Sequence, residues 1–188
     1  MKLVTLGPQG TCHENAVRHY LNYHRLENFE IILITDFLEG LELVYAGQAD
    51  YLVQCSAHPH VHLITEKYFQ KVKVMDTFIF PTKELVLLEN TEVEHPQTLG
   101  LVKATEGYLD GITYPEIIYE PSKPVVGAGL LEGKYDAGLT HIEYYQNHPN
   151  RFRVRKHMGE VVTTWIVYGH ETVFNGTVLS VMPSGFYK

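Results

Sequence analysis

Apolar and polar positions along the first fifty residues change period in a regular way. Leu3 to Leu6 is a short apolar run stopped by Gly7-Pro8-Gln9-Gly10, a turn signal. Thr11 has the character of a helix N-cap, and Glu14 three residues later completes a capping box. Ala16, Val17, Tyr20 and Leu21 then share one face of the helix that follows. A strand is predicted from Phe29 to Ile34. Next, Thr35 or Asp36 caps a helix through Leu38, Leu41 and Val44 that ends near Gly47, and Tyr51 to Val53 is another strand. This β-α-β-α-β order implies a parallel sheet with right-handed crossovers.

The second half repeats the pattern. Glu30-Ile31-Ile32 recurs as Glu116-Ile117-Ile118, and Gly47 and Asp50 recur as Gly133 and Asp136, at an offset of 86 residues in each case. Leu99 to Val102 reads as the first strand of this copy, with Thr105 and Glu106 opening a short helix. Between the copies, Lys71 to Glu89 is β-prone and interrupted at Pro81. Phe152 to Val154 and Thr163 to Tyr168 read as late strands. Two related α/β lobes are therefore expected: one of about residues 1–76 plus the C-terminal strand and tail at 163–188, the other of about 77–162. Ligands of open α/β sheets bind beyond the carboxyl ends of strands, beside helix N-termini. The candidate cleft residues are those just after strands: Gly7 to His13, Gln54 to His58, Lys103 to Glu106, Glu120 to Lys123 and Thr140 to Glu143. The Gly- and Ser-punctuated end, Glu171 to Lys188, is expected either to pack as a tail or to mediate oligomer contacts, with a homodimer as a candidate assembly that the sequence does not decide.

Composition narrows the function classes. With 45% hydrophobic and 20% charged residues among 188, the chain is that of an ordinary soluble globule rather than a disordered one. A net charge of −7 argues against a general nucleic-acid binder, which needs clustered Lys and Arg. The one basic run, Arg151 to Lys156, alternates with apolar residues and reads first as the solvated face of a strand. Cys12 and Cys55 cannot make a disulfide framework of the secreted type. Met1 to Gly7 enters a strand without a signal-peptide pattern, and no apolar run approaches the roughly 18 residues that span a bilayer. A cytoplasmic address without a membrane partner is expected.

Three landmarks then carry a resemblance. Gly7-Pro8-Gln9-Gly10-Thr11 resembles the G-P-x-G-T turn that opens prephenate dehydratases. Gly47-Gln48-Ala49-Asp50-Tyr51 resembles their G-x-A-D-Y segment, and Val162-Thr163-Thr164-Trp165 falls where they carry T-R-F. The resemblance runs over most of residues 3 to 170 and implies a two-lobed fold of the type II periplasmic-binding-protein kind, with the ligand between the lobes. The departures matter. The family's E-N-S segment is Ala57-His58-Pro59 here, its Arg is Thr164, its Phe is Trp165, and a serine-histidine pair appears as Lys103-Ala104. No ACT domain is expected. These losses resemble the short prephenate decarboxylases of the bacilysin and related antibiotic pathways, which imply non-aromatising decarboxylation without metal or organic cofactor. A residual dehydratase and an inactive carboxylate-binding or regulatory protein are the alternatives.

On that resemblance the ligand is a small carboxylate, prephenate or a relative such as arogenate. Its carboxylate is expected against the helix start at Gly10 and Thr11, with Lys103 on the second carboxylate and Thr105 and Thr164 as further binding residues. Thr163, His58 and His13 are the catalytic candidates. Each has a plainer reading: Thr11 as a cap only, Lys103 as a solvated loop lysine, Thr163 as an outward strand residue. His58, His60 and His62 would share one side if extended, but Pro59 makes a loop the better expectation, and no metal site is assigned. Cys55 reads as a buried small hydrophobe.

Overall fold

Two five-stranded sheets account for nearly all the strands foreseen, in a computed structural model that describes residues 1–182. In the first, β1 (Lys2–Leu6), β2 (Glu30–Ile34) and β3 (Tyr51–Cys55) run parallel, connected by α1 (Cys12–Tyr23) and α2 (Phe37–Tyr45). After α3 (Val61–Tyr68) and β4 (Lys73–Pro81) the chain crosses over and builds the second sheet. That sheet holds β5 (Leu85–Asn90), β6 (Thr98–Leu101), β7 (Glu116–Tyr119), β8 (Ala137–His141) and β9 (Phe152–Gly159). A 3₁₀ segment (Lys103–Leu109), α4 (Lys123–Glu132) and α5 (Glu143–Asn147) lie between its strands. The chain then returns as β10 (Val162–Gly169), which inserts between β3 and β4.

The strand orders, β2-β1-β3-β10-β4 and β7-β6-β8-β5-β9, match position for position, with the fourth strand antiparallel to the third in both. The 86-residue offset is therefore an architectural repeat: it carries β2 onto β7, α2 onto α4 and β3 onto β8. This is the two-lobed α/β fold expected, with one difference in its bounds. The division near 76 falls inside β4, whose pairing with β10 runs from Lys73 to Pro81, so the crossover comes at 82–84. A second crossing at 160–161 lies beside it. Thr82 N–H donates to Val161 O at 2.9 Å and Val161 N–H donates to Thr82 Oγ1 at 3.0 Å, which ties the two crossings into one hinge.

Local sequence explains the helix starts. Thr11 Oγ1 accepts from Glu14 N–H at 3.2 Å, while the Glu14 carboxylate accepts from Gly10 N–H at 2.6 Å, a capping box displaced by one residue. Asp36, not Thr35, caps α2, and Ser122 caps α4, which ends at Gly133 with φ +74°. Ala16, Val17, Tyr20 and Leu21 of α1 pack with Leu3, Val53 and Trp165 on one face of the first sheet; Leu41 and Val44 of α2 pack with Leu52 and Ile64 on the other. In the second sheet Gly100 lets β6 pass against the Tyr135 ring, which a Cβ there would meet at 2.4 Å. Beyond Gly169 the chain forms no helix or strand through Met182, and the rest of the expected tail, 183–188, lies outside the described residues. No helix among those residues is long and apolar enough to cross a membrane.

Candidate functional site

The carboxyl ends of the parallel strands in the two sheets face one another across a cavity of about 310 Å³. Lobe one contributes the first turn of α1, the end of β3 with the turn after it, and the start of β10. Lobe two contributes the 3₁₀ segment, the first turn of α4 and the last residue of β8.

Six of the eight residues singled out from sequence line this space: Thr11, His13, His58, Lys103, Thr105 and Thr163. Gly10 and Thr164 do not. The Gly10 N–H is engaged by the Glu14 carboxylate, so an anion approaching it would meet another anion. Thr164 alternates to the opposite face of β10 from Thr163 and Trp165, and only its carbonyl is engaged nearby, accepting from Ser56 N–H at 2.9 Å. Thr11 and Thr105 donate their hydroxyl hydrogens to Leu6 O (2.9 Å) and Val102 O (2.8 Å), leaving lone pairs but no proton for a ligand. Thr163 Oγ1 lies 3.5 Å from Ser56 Oγ.

Lys103 is mostly exposed. Its ammonium meets Glu106 at 2.5 Å, donates to Tyr119 Oη at 2.9 Å and sits over the Tyr119 ring. The cation inside the cleft is instead Lys123, at the start of α4. Half-buried, it is held below the usual lysine range by loss of solvent. Its charge acts on Cys12, His13, His58 and His141, which line the same cavity. Among the described residues it enters no ion pair, whereas Glu120 at the rim is paired with Lys134 at 2.6 Å.

The imidazoles around it are neutral near neutral pH. Burial pushes His13 down to about 3, His141 to about 3 and His58 to about 4, with neighbouring charges adding to the effect. His13 Nε2 accepts from Cys55 N–H at 3.5 Å, and its ring stands edge-on to Trp165 at 5.1 Å. Phe37 packs against both His13 and His58. Across the cleft Cys12 Sγ lies 3.3 Å from His141 Nε2, a contact between residues 129 apart in sequence. A second bridge runs from the hinge: Lys83 meets Glu143 at 2.5 Å and reaches Gly10 O at 3.5 Å. Cys12, Lys123 and His141 lay within the strand-end ranges legible in the sequence, but no spacing rule distinguishes them from their neighbours there.

The His58-His60-His62 alternation does not survive folding. His58 and His60 occupy a turn, and His62 is on α3, facing Glu66 at 4.0 Å. No group of three His, Cys, Asp or Glu residues among the described residues is placed to hold a metal ion.

Two α/β lobes, joined by a double crossover and enclosing an inter-lobe cavity, make up the architecture. Among solved structures it is similar to prephenate dehydratase from Arthrobacter aurescens in complex with L-Phe, with a TM-score of 0.67 and 21% identity over 91% of this chain and 61% of that one. It is also similar to the periplasmic VFT2 domain of Bordetella pertussis BvgS (TM-score 0.55, 15% identity, 90% and 80% of the two chains). The GluR0 ligand-binding core in complex with L-glutamate gives 0.52 and 13% identity over 91% and 84%. The likeness is one of fold, and the chain spans about three fifths of the dehydratase's length. No protein-family model matches the chain, and no curated protein matches it significantly.

Proposed function

We propose that the cleft binds a small organic acid through its carboxylate and that the chain decarboxylates prephenate, or a close relative, without aromatising it. The product would be a dihydro-hydroxyphenylpyruvate of the kind used in antibiotic biosynthesis. One observation carries this reading: the ammonium of Lys123, desolvated in a cavity of about 310 Å³, has no countercharge among the described residues. A buried cation without a partner is costly, and an entering carboxylate removes that cost while gaining a charge-assisted hydrogen bond. In the first turn of α1 the Glu14 N–H is taken by Thr11 Oγ1, and the N–H groups of Cys12 and His13 offer a second anchor.

The chemistry of the lining favours decarboxylation over dehydration. Expelling hydroxide calls for an acid or cation at the leaving oxygen. The family's Arg is Thr164 here, which faces away, and the cleft imidazoles are neutral. Lys123, the cation of the cleft, is engaged by the carboxylate in this reading, and losing carbon dioxide while keeping the hydroxyl needs neither group at the ring oxygen, only a proton for a ring carbon. A second reading, ligand binding without turnover, is favoured by two of the similar structures, which are complexes with the amino acids L-Phe and L-glutamate.

Incubation with prephenate at neutral pH, followed by mass spectrometry and proton NMR, separates these. A product lacking carbon dioxide but keeping the ring oxygen is expected. Phenylpyruvate above the spontaneous background would mean dehydration. A thermal shift with prephenate but no product would leave the binding reading.

A further inference from the structure

Decarboxylation leaves an electron pair on the substrate that must be met by a proton at a ring carbon. His13 and His58 are poor sources, since they carry the extra proton only below about 3 and about 4. The Thr163 hydroxyl is a far weaker acid than a thiol. Cys12 is the better placed group. It is the first residue of α1, it lines the cavity, and its Sγ is 3.3 Å from Nε2 of His141, which lines the same cavity from the other lobe. The other thiol, Cys55, has Thr163 Oγ1 at 3.7 Å and no imidazole contact of this kind.

We propose that Cys12 delivers this proton and that His141 positions its sulfur for the transfer, a role that rests on the decarboxylation reading above. The C–C bond to the carboxylate breaks, carbon dioxide departs, and the electron pair stays on the diene. The S–H bond of Cys12 then breaks as its proton forms the new C–H bond. The thiolate left behind regains a proton from water entering the cavity that Cys12 lines, so each turnover takes up one solvent proton.

The surroundings suit an acid that is protonated at rest yet leaves a stabilised anion. Burial pushes the Cys12 thiol up, so S–H is the resting form. The charged groups facing it are Lys123 from α4 and Lys83 from the hinge, with Cys55 of β3 and Tyr108 of the 3₁₀ segment as further titratable neighbours besides His141. In the apo cleft those cations do not overcome desolvation. During the reaction negative charge passes from the substrate carboxylate to sulfur, and the same Lys123 ammonium can face it before and after. The helix start adds N–H groups toward the thiolate.

The test is decarboxylation of prephenate in D₂O by the wild-type chain, Cys12→Ala, Cys12→Ser and His141→Gln, read as carbon dioxide release and as the face of the ring that acquires deuterium. Wild type should label one face. Both Cys12 variants should release carbon dioxide at least about 100-fold more slowly, and their residual product should carry deuterium on both faces. His141→Gln should slow turnover while keeping single-face labelling. Either Cys12 variant that folds and turns over within about tenfold of wild type, with single-face labelling, would overturn the role of Cys12 and leave the decarboxylation intact. A wild-type chain that releases no carbon dioxide would overturn the decarboxylation and this role with it. Cys12→Ser, close to the native volume, covers the case in which Cys12→Ala fails to fold.

Discussion

Behind its cap Asp36, α2 begins with Phe37; behind its cap Ser122, 86 positions on, α4 begins with Lys123. The same offset carries Cys55, at the end of β3, onto His141 at the end of β8, and Gln54 onto Thr140. Trp165 on β10 pairs with Cys55 as Leu85 on β5 pairs with His141. The two lobes thus share a frame but fill matching places with different chemistry. Lobe one has a buried phenyl behind the cleft histidines and a thiol on the cleft wall where lobe two supplies a cation and an imidazole. In a duplicated fold, specificity is written at the few strand ends and helix starts that face inward, and the frame is indifferent to which lobe holds the charge.

Exchanging residues between matching places breaks this comparison in graded ways. The largest effect is expected from Trp165→Leu, which gives lobe one the residue of lobe two. Trp165 is fully buried and donates from Nε1 to Phe80 O at 2.9 Å, so the change should cost about 3 kcal/mol in denaturant unfolding and enlarge the cleft floor. Lys123→Met should weaken prephenate binding by about 2 kcal/mol, or roughly 30-fold, in calorimetry. The same variant should melt no lower than wild type, because an uncompensated buried charge is gone. A parallel fall in affinity and melting temperature would mean that Lys123 is structural.

Acidification comes next. His13 and His141 have folded pKa values of about 3, below the ordinary 6.5, so the unfolded chain binds more protons between those limits. Their contribution is complete above about pH 6.5 and is lost as pH falls toward 3, at no more than about 1.4 kcal/mol per pH unit for each imidazole. Melting temperatures from pH 7 to 4 should show this decline, and His141→Gln should flatten it. The smallest effect concerns the pair beneath the helix starts. Thr140 Oγ1 donates to Lys123 O at 2.7 Å, whereas the buried Gln54 amide has no hydrogen-bond partner among the described residues. Gln54→Met should therefore raise stability by about 1 kcal/mol, while Thr140→Val should lower it by a similar amount.

The frame was readable because it rests on local and periodic signals. Thr11 with Glu14, the apolar stripe of α1, the cap at Asp36 and the stop at Gly133 each act within a few residues, and the 86-residue repeat tied the halves together. α3 left little trace, since among its residues only Ile64 is buried. The site was legible as strand-end ranges but not as particular side chains. Lys103 and Lys123 both follow strands of lobe two, and only the fold reveals that Glu106 and Tyr119 hold the first while the second turns inward. Nor could periodicity bring Cys12 to His141, a contact that depends on how the lobes close.

The insertion of β10 between β3 and β4 has a consequence for the order in which the molecule is made. Lobe two is one uninterrupted stretch, Leu85 to Gly159, and can complete its sheet as soon as that stretch is available. Lobe one is translated first, yet β3 and β4 lack the strand that joins them until residue 169 has been added. During synthesis its half-built sheet presents open edges, the kind of surface that chaperones cover and aggregates exploit. The lobe that begins the chain is the last to be finished.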